Sequence, residues 1–325
     1  MQKLTRISGL IVVIVLLMQA NLSAQTIDEG VALVQQKKYA EAKAVFEKVL
    51  DKNKDDAEAH YRLGLVLYNR GFKSRDVDEA VDHLEKAVDL NSNNADYQFW
   101  YGAALGEKAQ NAGMIKKAFL APKIKKAFKR SVELNPQNAR ARIALAQYYL
   151  MAPSIMGGDD AEGWKQLDEA IKLDEIQGRT IKAYFLARAK KNDEAEKEYK
   201  ILTNTYSKDW HIWKNYGYFY MNIEHYDDAV KNFQKYVVLR PDTADSYQSL
   251  AEALLKKGEN DQAIMNLNIS LSIDKDFVPA IISMGEAYQA KGQKKEAKET
   301  YQRAIEVTQN EYYKKQAEKK LKEVE

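Results

Sequence analysis

The sequence predicts an all-α chain in which helix pairs stack one after another into an α-solenoid, and three observations predict it. Glycine and proline are scarce, 15 and 5 in 325 residues, about half of their usual joint share of roughly 12%. A pattern of small and large apolar residues returns about every 34 residues, eight times over. Within each return, a small residue and a large one keep a nearly constant separation, as two helices packed face to face require.

Residues 1–24 read as an address. Lys3 and Arg6 precede the apolar run Leu10 to Met18, and Leu22, Ser23 and Ala24 offer a cleavage point before Gln25. This is the layout of a secretory signal peptide, and nine apolar residues are too few to span a bilayer core of roughly 30 Å. Export is therefore expected, to the periplasm first, with secretion or an uncleaved anchor as alternatives. With Lys3 and Arg6 removed, the net charge falls from +3 to +1, which points away from nucleic acid as a partner. The chain has no cysteine, so disulfides, thiol chemistry and the common structural zinc sites are excluded. Thr26 and Glu29 then form a T-x-x-E capping box, and the mature chain is expected to begin with a helix.

From there the repeat governs residues 25–311, in units near 25–56, 57–94, 95–138, 139–177, 178–209, 210–243, 244–277 and 278–311. The eighth position of each unit holds Gly30, Gly64, Gly102, Ala146, Ala183, Gly217, Ala251 or Gly285. Sixteen positions on, insertions allowed, come Phe46, Leu84, Phe128, Leu167, Tyr199, Phe233, Leu267 and Tyr301. A small residue on the first helix lets the second approach, and the large residue fills the space beside it. Pro136 and Pro241 fall between units, Pro279 in a first helical turn, and Pro122 and Pro153 in insertions, so no proline is expected inside a regular helix. Residues 312–325 are highly charged but carry Tyr313, Ala317, Leu321 and Val324 on one helical face. They read as a cap helix covering the last unit.

These units resemble tetratricopeptide repeats, most closely from Trp213 to Pro241 and from Tyr247 to Ile273. The resemblance implies a helix-turn-helix solenoid that binds proteins or peptides and has no chemistry of its own. The second, third and fourth units carry insertions, and the unit near 178–209 is weak in its first helix and two residues short. A bend Ala152-Pro153-Ser154-Ile155-Met156-Gly157-Gly158, together with a lysine-rich long helix in the unit before it, is similar to a subgroup of exported bacterial tetratricopeptide proteins.

Nothing in the chain matches a nucleophile elbow, a phosphate loop, a dinucleotide fingerprint or a zinc-protease motif. No enzyme activity, metal or cofactor is expected. His60, His83, His211 and His225 are never three or four residues apart, and read as packing or surface residues. Gly157-Gly158-Asp159-Asp160 reads as a turn in which Asp159 or Asp160 caps the next helix.

Two binding surfaces are expected. In a solenoid of this type the first-helix side chains beside the core stripe line the concave groove: Tyr61, Tyr68, Phe99, Arg140, Gln147, Tyr184, Lys214 and Tyr218, continued by Met221, Gln248 and Glu252. Aromatics dominate early and polar groups later, which suits an extended or helical peptide with polar flanks to set its register. Lys214 and Asn215 resemble part of a carboxylate clamp, but Asp245 and Ser249 stand where that clamp needs cations and amides, so the clamp is not expected here. The second surface is a basic patch, Lys116, Lys117, Lys123, Lys125, Lys126, Lys129 and Arg130, with no acid from Met114 to Arg130. The pentapeptide Ile-Lys-Lys-Ala-Phe occurs there at Ile115 to Phe119 and again at Ile124 to Phe128. With Pro122 between, it suggests two short amphipathic helices with lysines outward. The patch reads either as a dock for acidic headgroups or an acidic partner, or as the solvated face of a lengthened helix. The resulting expectation is a protein- or peptide-binding scaffold of the cell envelope. The alternative is a periplasmic component that presents a small ligand to a transporter.

Overall fold

The structure is a computed structural model that describes residues 26–69, 71–73 and 75–324; the proposed export signal lies outside them. Among the described residues there are seventeen α-helices and no strand. The first, α1, covers 26–35. It is followed by α2 (Tyr39–Lys52), α3 (Ala57–Tyr68), α4 (Val77–Leu90), α5 (Ala95–Gln110), α6 (Met114–Leu134), α7 (Ala139–Met151) and α8 (Asp160–Leu173). Then come α9 (Glu175–Arg188), α10 (Asn192–Thr205), α11 (Trp210–Asn222), α12 (Tyr226–Leu239), α13 (Ala244–Lys257), α14 (Asn260–Ile273), α15 (Val278–Ala290), α16 (Lys294–Val307) and α17 (Glu311–Val324). The chain is an α-solenoid of eight such helix pairs closed by α17 as a cap helix. None of the described helices is long and apolar enough to cross a membrane.

Helix starts are written into the local sequence. Asp56, Asn94, Asn138 and Asp209 each turn a side-chain oxygen onto backbone N–H groups at the start of α3, α5, α7 and α11, satisfying donors that no helical carbonyl reaches. Asp159 does the same for α8, accepting from the Glu162 amide at 3.1 Å. Gly157, at φ +87, supplies the left-handed turn ahead of it.

The small-to-large pairing is physical contact. A methyl group added at Gly217 would come within 2.5 Å of the Phe233 ring, one at Gly64 within 2.7 Å of Leu84, and one at Gly102 within 2.8 Å of Phe128. Gly30 meets Phe46, and Gly285 meets Tyr301, more closely still. Ala146, Ala183 and Ala251 are fully buried at the matching positions. At the end of the chain, Tyr313, Ala317, Leu321 and Val324 on α17 join a core cluster with Ile281, Tyr301 and Ala304.

The helices group into two compact units, one running to Gly178 and the other from Arg179 onward. The division falls inside α9, in the repeat whose first helix is weakest in sequence. That helix begins at Glu175 rather than at the expected boundary of 178. Asp174 is the reason: its carboxylate accepts from the Gln177 amide at 3.0 Å and caps a helix three residues earlier than the apolar pattern indicates.

The third repeat departs most from expectation. Instead of two short helices broken at Pro122, α6 is one continuous helix of 21 residues with Pro122 inside it. Proline removes the hydrogen bond to the carbonyl four residues before, that of Ala118. Both Ala118 and Pro122 are exposed, so water can serve that carbonyl. The helix is held across the gap because Ala121, Ile124, Ala127 and Phe128 all stay buried.

Candidate binding surfaces

In the first unit the aromatic side chains expected along the groove are drawn into the spaces between repeats. Tyr61 on α3 is only 7% exposed and lies with its ring 4.7 Å from that of Tyr97 on α5. Burial pushes its hydroxyl pKa up to about 12. Tyr68 packs edge-on to Trp100 at 6.0 Å, and Phe99 packs edge-on to Trp100 at 5.2 Å. Tyr68 and Phe99 are half-buried against the core cluster that holds Tyr61. Tyr61 is thus a core residue, because the first helices of successive repeats approach closely enough for their rings to stack. Arg140 is exposed and Gln147 half-buried on α7.

The second unit carries a more polar face on its first helices, although Gln248 on it is only 7% exposed. Tyr184 on α9 is 49% exposed. On α11, Lys214 donates to Asp245 of α13 at 2.6 Å, and the Tyr218 hydroxyl lies 3.0 Å from Ser249 Oγ. One helix further, Gln248 Nε2 donates to Ser283 Oγ of α15 at 3.3 Å. Asp245 also accepts from the Tyr236 hydroxyl at 2.7 Å, so the carboxylate that stands where a clamp would want a cation is committed to Lys214 and Tyr236. Glu252 holds its proton more tightly than an ordinary carboxyl group, first because it is buried, and further because Glu286 lies nearby. At repeat position five the series runs Lys214, Gln248, Ile282, and at position nine Tyr218, Glu252, Glu286. A graded row of cation, amide, hydroxyl and carboxyl groups therefore crosses α11, α13 and α15, the first helices of three successive repeats.

The basic patch is divided by α6 itself. Lys116, Lys123, Lys126 and Lys129 are exposed, whereas Lys117, Lys125 and Arg130 are half-buried. Lys123 pairs with Glu85 at 2.8 Å, and Arg130 Nη2 donates to Asn93 Oδ1 at 2.7 Å. Lys125 turns inward, donating to the Gly157 carbonyl at 3.1 Å with its ammonium 5.0 Å from the Tyr149 ring. The expectation that all lysines face outward is corrected accordingly, since a continuous helix cannot turn adjacent residues to the same side.

A pair that sequence spacing did not reveal lies between α3 and α4. His60 Nδ1 and His83 Nδ1 are 2.8 Å apart, and His60 Nε2 is 2.9 Å from the Lys54 carbonyl oxygen. A carbonyl only accepts, so His60 donates there and its Nδ1 accepts from His83 when both rings are neutral. Burial, together with His60, holds His83 below the usual imidazole pKa. Placing both residues at equivalent heights on the two helices of one repeat would have indicated the contact; spacing within one helix does not.

Comparison with known proteins agrees with this architecture. Models described as tetratricopeptide repeat match residues 217–267 and 278–311, and one described as regulator of microtubule dynamics protein 1-3 matches residues 26–151. The chain thus carries tetratricopeptide repeats within residues 217–267 and 278–311. Among curated relatives it is 26% identical over 266 residues to Superkiller complex protein 3 of Mus musculus, covering 80% of this chain but only 16% of that protein. It is 24% identical over 266 residues to the TPR repeat-containing protein MJ1428 of Methanocaldococcus jannaschii, covering 77% of this chain and 43% of the relative. Among solved structures, yeast Tom70 superposes with a TM-score of 0.67 at 16% identity, over 89% of this chain and 59% of Tom70. A tetratricopeptide repeat protein from Parabacteroides merdae superposes with a TM-score of 0.57 at 12% identity, over 93% and 98% of the two chains. At these identities the structural likeness is one of fold.

Proposed function

We propose that this chain is a non-catalytic scaffold that binds an extended or helical segment of a partner protein along the first-helix face of its second unit. We further propose that residues 1–24 export it to the envelope of a bacterial cell. The observation that carries the binding reading is the row of half-buried polar side chains Lys214, Tyr218, Glu252 and Glu286, with Gln248 buried beneath it. Such a row offers donors and acceptors in a fixed order at the spacing of successive repeats, which sets the register of a bound chain. The tetratricopeptide fold itself commonly serves protein binding. Export is supported by the order of basic, apolar and small side chains along residues 1–24.

The test is selection of peptides from a random library on the purified chain, followed by calorimetry of the enriched sequences. Lys214→Glu and Tyr218→Ala are expected to weaken binding by tenfold or more, equivalent to about 1.4 kcal/mol or greater. Val238→Ser, at a residue 73% exposed on α12, is the control and leaves affinity unchanged. Enriched peptides that bind all three variants as tightly as the original chain would remove the groove from this role.

A further inference from the structure

The two copies of Ile-Lys-Lys-Ala-Phe face opposite sides of one helix. Ile124 and Phe128 are 6% and 7% exposed in the core, whereas Ile115 and Phe119 are 77% and 76% exposed. A nine-residue offset on an α-helix is two and a half turns, so an uninterrupted α6 must present the first copy to solvent if it buries the second. On the outward side Ile115, Phe119 and the exposed Pro122 follow at i, i+4 and i+7, and Lys126 and Lys129 continue the same stripe. Lys116 and Lys123 run along its edge.

We propose that this outward face of α6 docks the protein onto a lipid surface bearing anionic headgroups, with Ile115 and Phe119 entering the headgroup boundary and the surrounding lysines meeting phosphate. Three features select that occupant. The apolar side chains are ridges, not walls of a groove, and a bilayer accepts protruding side chains without a complementary pocket. The rim is cationic without an acid from Met114 to Arg130, and lysine stems can lie along the apolar boundary while their ammonium groups reach phosphate. Of the nearby carboxylates, Asp78 is matched by Lys108 at 2.6 Å from outside the patch and Glu85 by Lys123 at 2.8 Å, which leaves Lys116, Lys126 and Lys129 as the exposed cations of the rim. A second copy of the chain is disfavoured, because a symmetric contact would set lysine against lysine.

The absence of cysteine allows a direct test on the chain lacking residues 1–24. Ala118→Cys, on an exposed position between Ile115 and Phe119, is labelled with an environment-sensitive fluorophore; Ile269→Cys on α14, also exposed, is the control. With vesicles of phosphatidylcholine and phosphatidylserine at low salt, the label at 118 is expected to shift to the blue and the label at 269 to stay unchanged. Vesicles of phosphatidylcholine alone give no shift. In co-sedimentation, Ile115→Ser with Phe119→Ser lowers partitioning at least tenfold. Lys116→Gln, Lys126→Gln and Lys129→Gln together lower it roughly a hundredfold, at about 1 kcal/mol per cation. All five residues are exposed, so circular dichroism of the variants should match that of the original chain. No shift at 118, equal shifts at 118 and 269, or serine variants that partition normally would each overturn the proposal. Concentration-dependent dimerisation abolished by Phe119→Ser would overturn it in favour of a second copy.

Discussion

At the scale of the residue, the chain is organised by which side chains are small enough and which backbones can turn. Gly217 has Phe233 2.5 Å from where a methyl group would stand, and any β-branched residue there must push the second helix away. Gly217→Val is expected to destabilise the fold by about 1–3 kcal/mol, read as a lower midpoint in chemical denaturation. The turn between paired helices behaves in the opposite way. A positive-φ residue recurs once per repeat at Lys190, Glu224, Gly258 and Gly292, and another stands at Lys37. Glycine occupies this site without steric cost, but Glu224 holds φ at +63. Glu224→Gly is expected to stabilise the chain by about 0.5–1 kcal/mol, the strain relieved less the greater freedom of the unfolded glycine. An unchanged or lower denaturation midpoint would contradict it. The small-to-large rule was legible in the sequence; the turn was not, because Lys and Glu carry no sign of a left-handed backbone.

At the scale of the element, α3 and α4 share a histidine contact that acid weakens. His83 faces His60 from α3, Glu79 and Asp82 on its own helix, and Lys43 from α2. Its pKa in the folded chain lies below that of an unfolded histidine, near 6.5, so the unfolded chain binds more protons as the pH falls through that region. Stability from this group is therefore complete above about pH 6.5 and lost progressively below it. Thermal midpoints are expected to fall between about pH 7 and 5, and His83→Gln is expected to flatten that slope even as it lowers the midpoint at pH 7. The long helix α6 teaches a different lesson at this scale. Proline at 122 reads as a break, and only the burial of Ala121, Ile124, Ala127 and Phe128 against neighbouring helices shows why the helix survives it.

At the scale of the molecule, the described helices within each unit touch mainly the helix before and the helix after. The strongest contacts are α5 with α6, α3 with α4, α7 with α8 and α13 with α14, and an array of this kind loses structure locally before it loses it globally. Phe46→Ala, which empties a fully buried site on α2, is expected to cost about 3–5 kcal/mol in the first repeats. In hydrogen exchange it should speed the amides of α1 to α4 while leaving those of α13 to α16 at their original rates. Equal acceleration everywhere would mean that the repeats unfold as one cooperative block. The polar row of the second unit and the aromatic packing of the first belong to this scale as well, since their contacts across repeats join side chains 31 to 36 positions apart in sequence.

The sequence by itself determined the fold class, the repeat length, the cap helix and the small-to-large contacts, because each follows from residue size and spacing along the chain. It also suggested two candidate surfaces. What only the tertiary structure decided was which side of a helix meets water. Tyr61 reads as a groove residue and is buried, because the next repeat supplies Tyr97 to stack on it. Ile115 and Ile124 stand in identical pentapeptides, yet one is exposed and the other is core. Their difference comes from half a turn of helix and from the neighbouring helices that claimed one face of α6 and left the other uncovered.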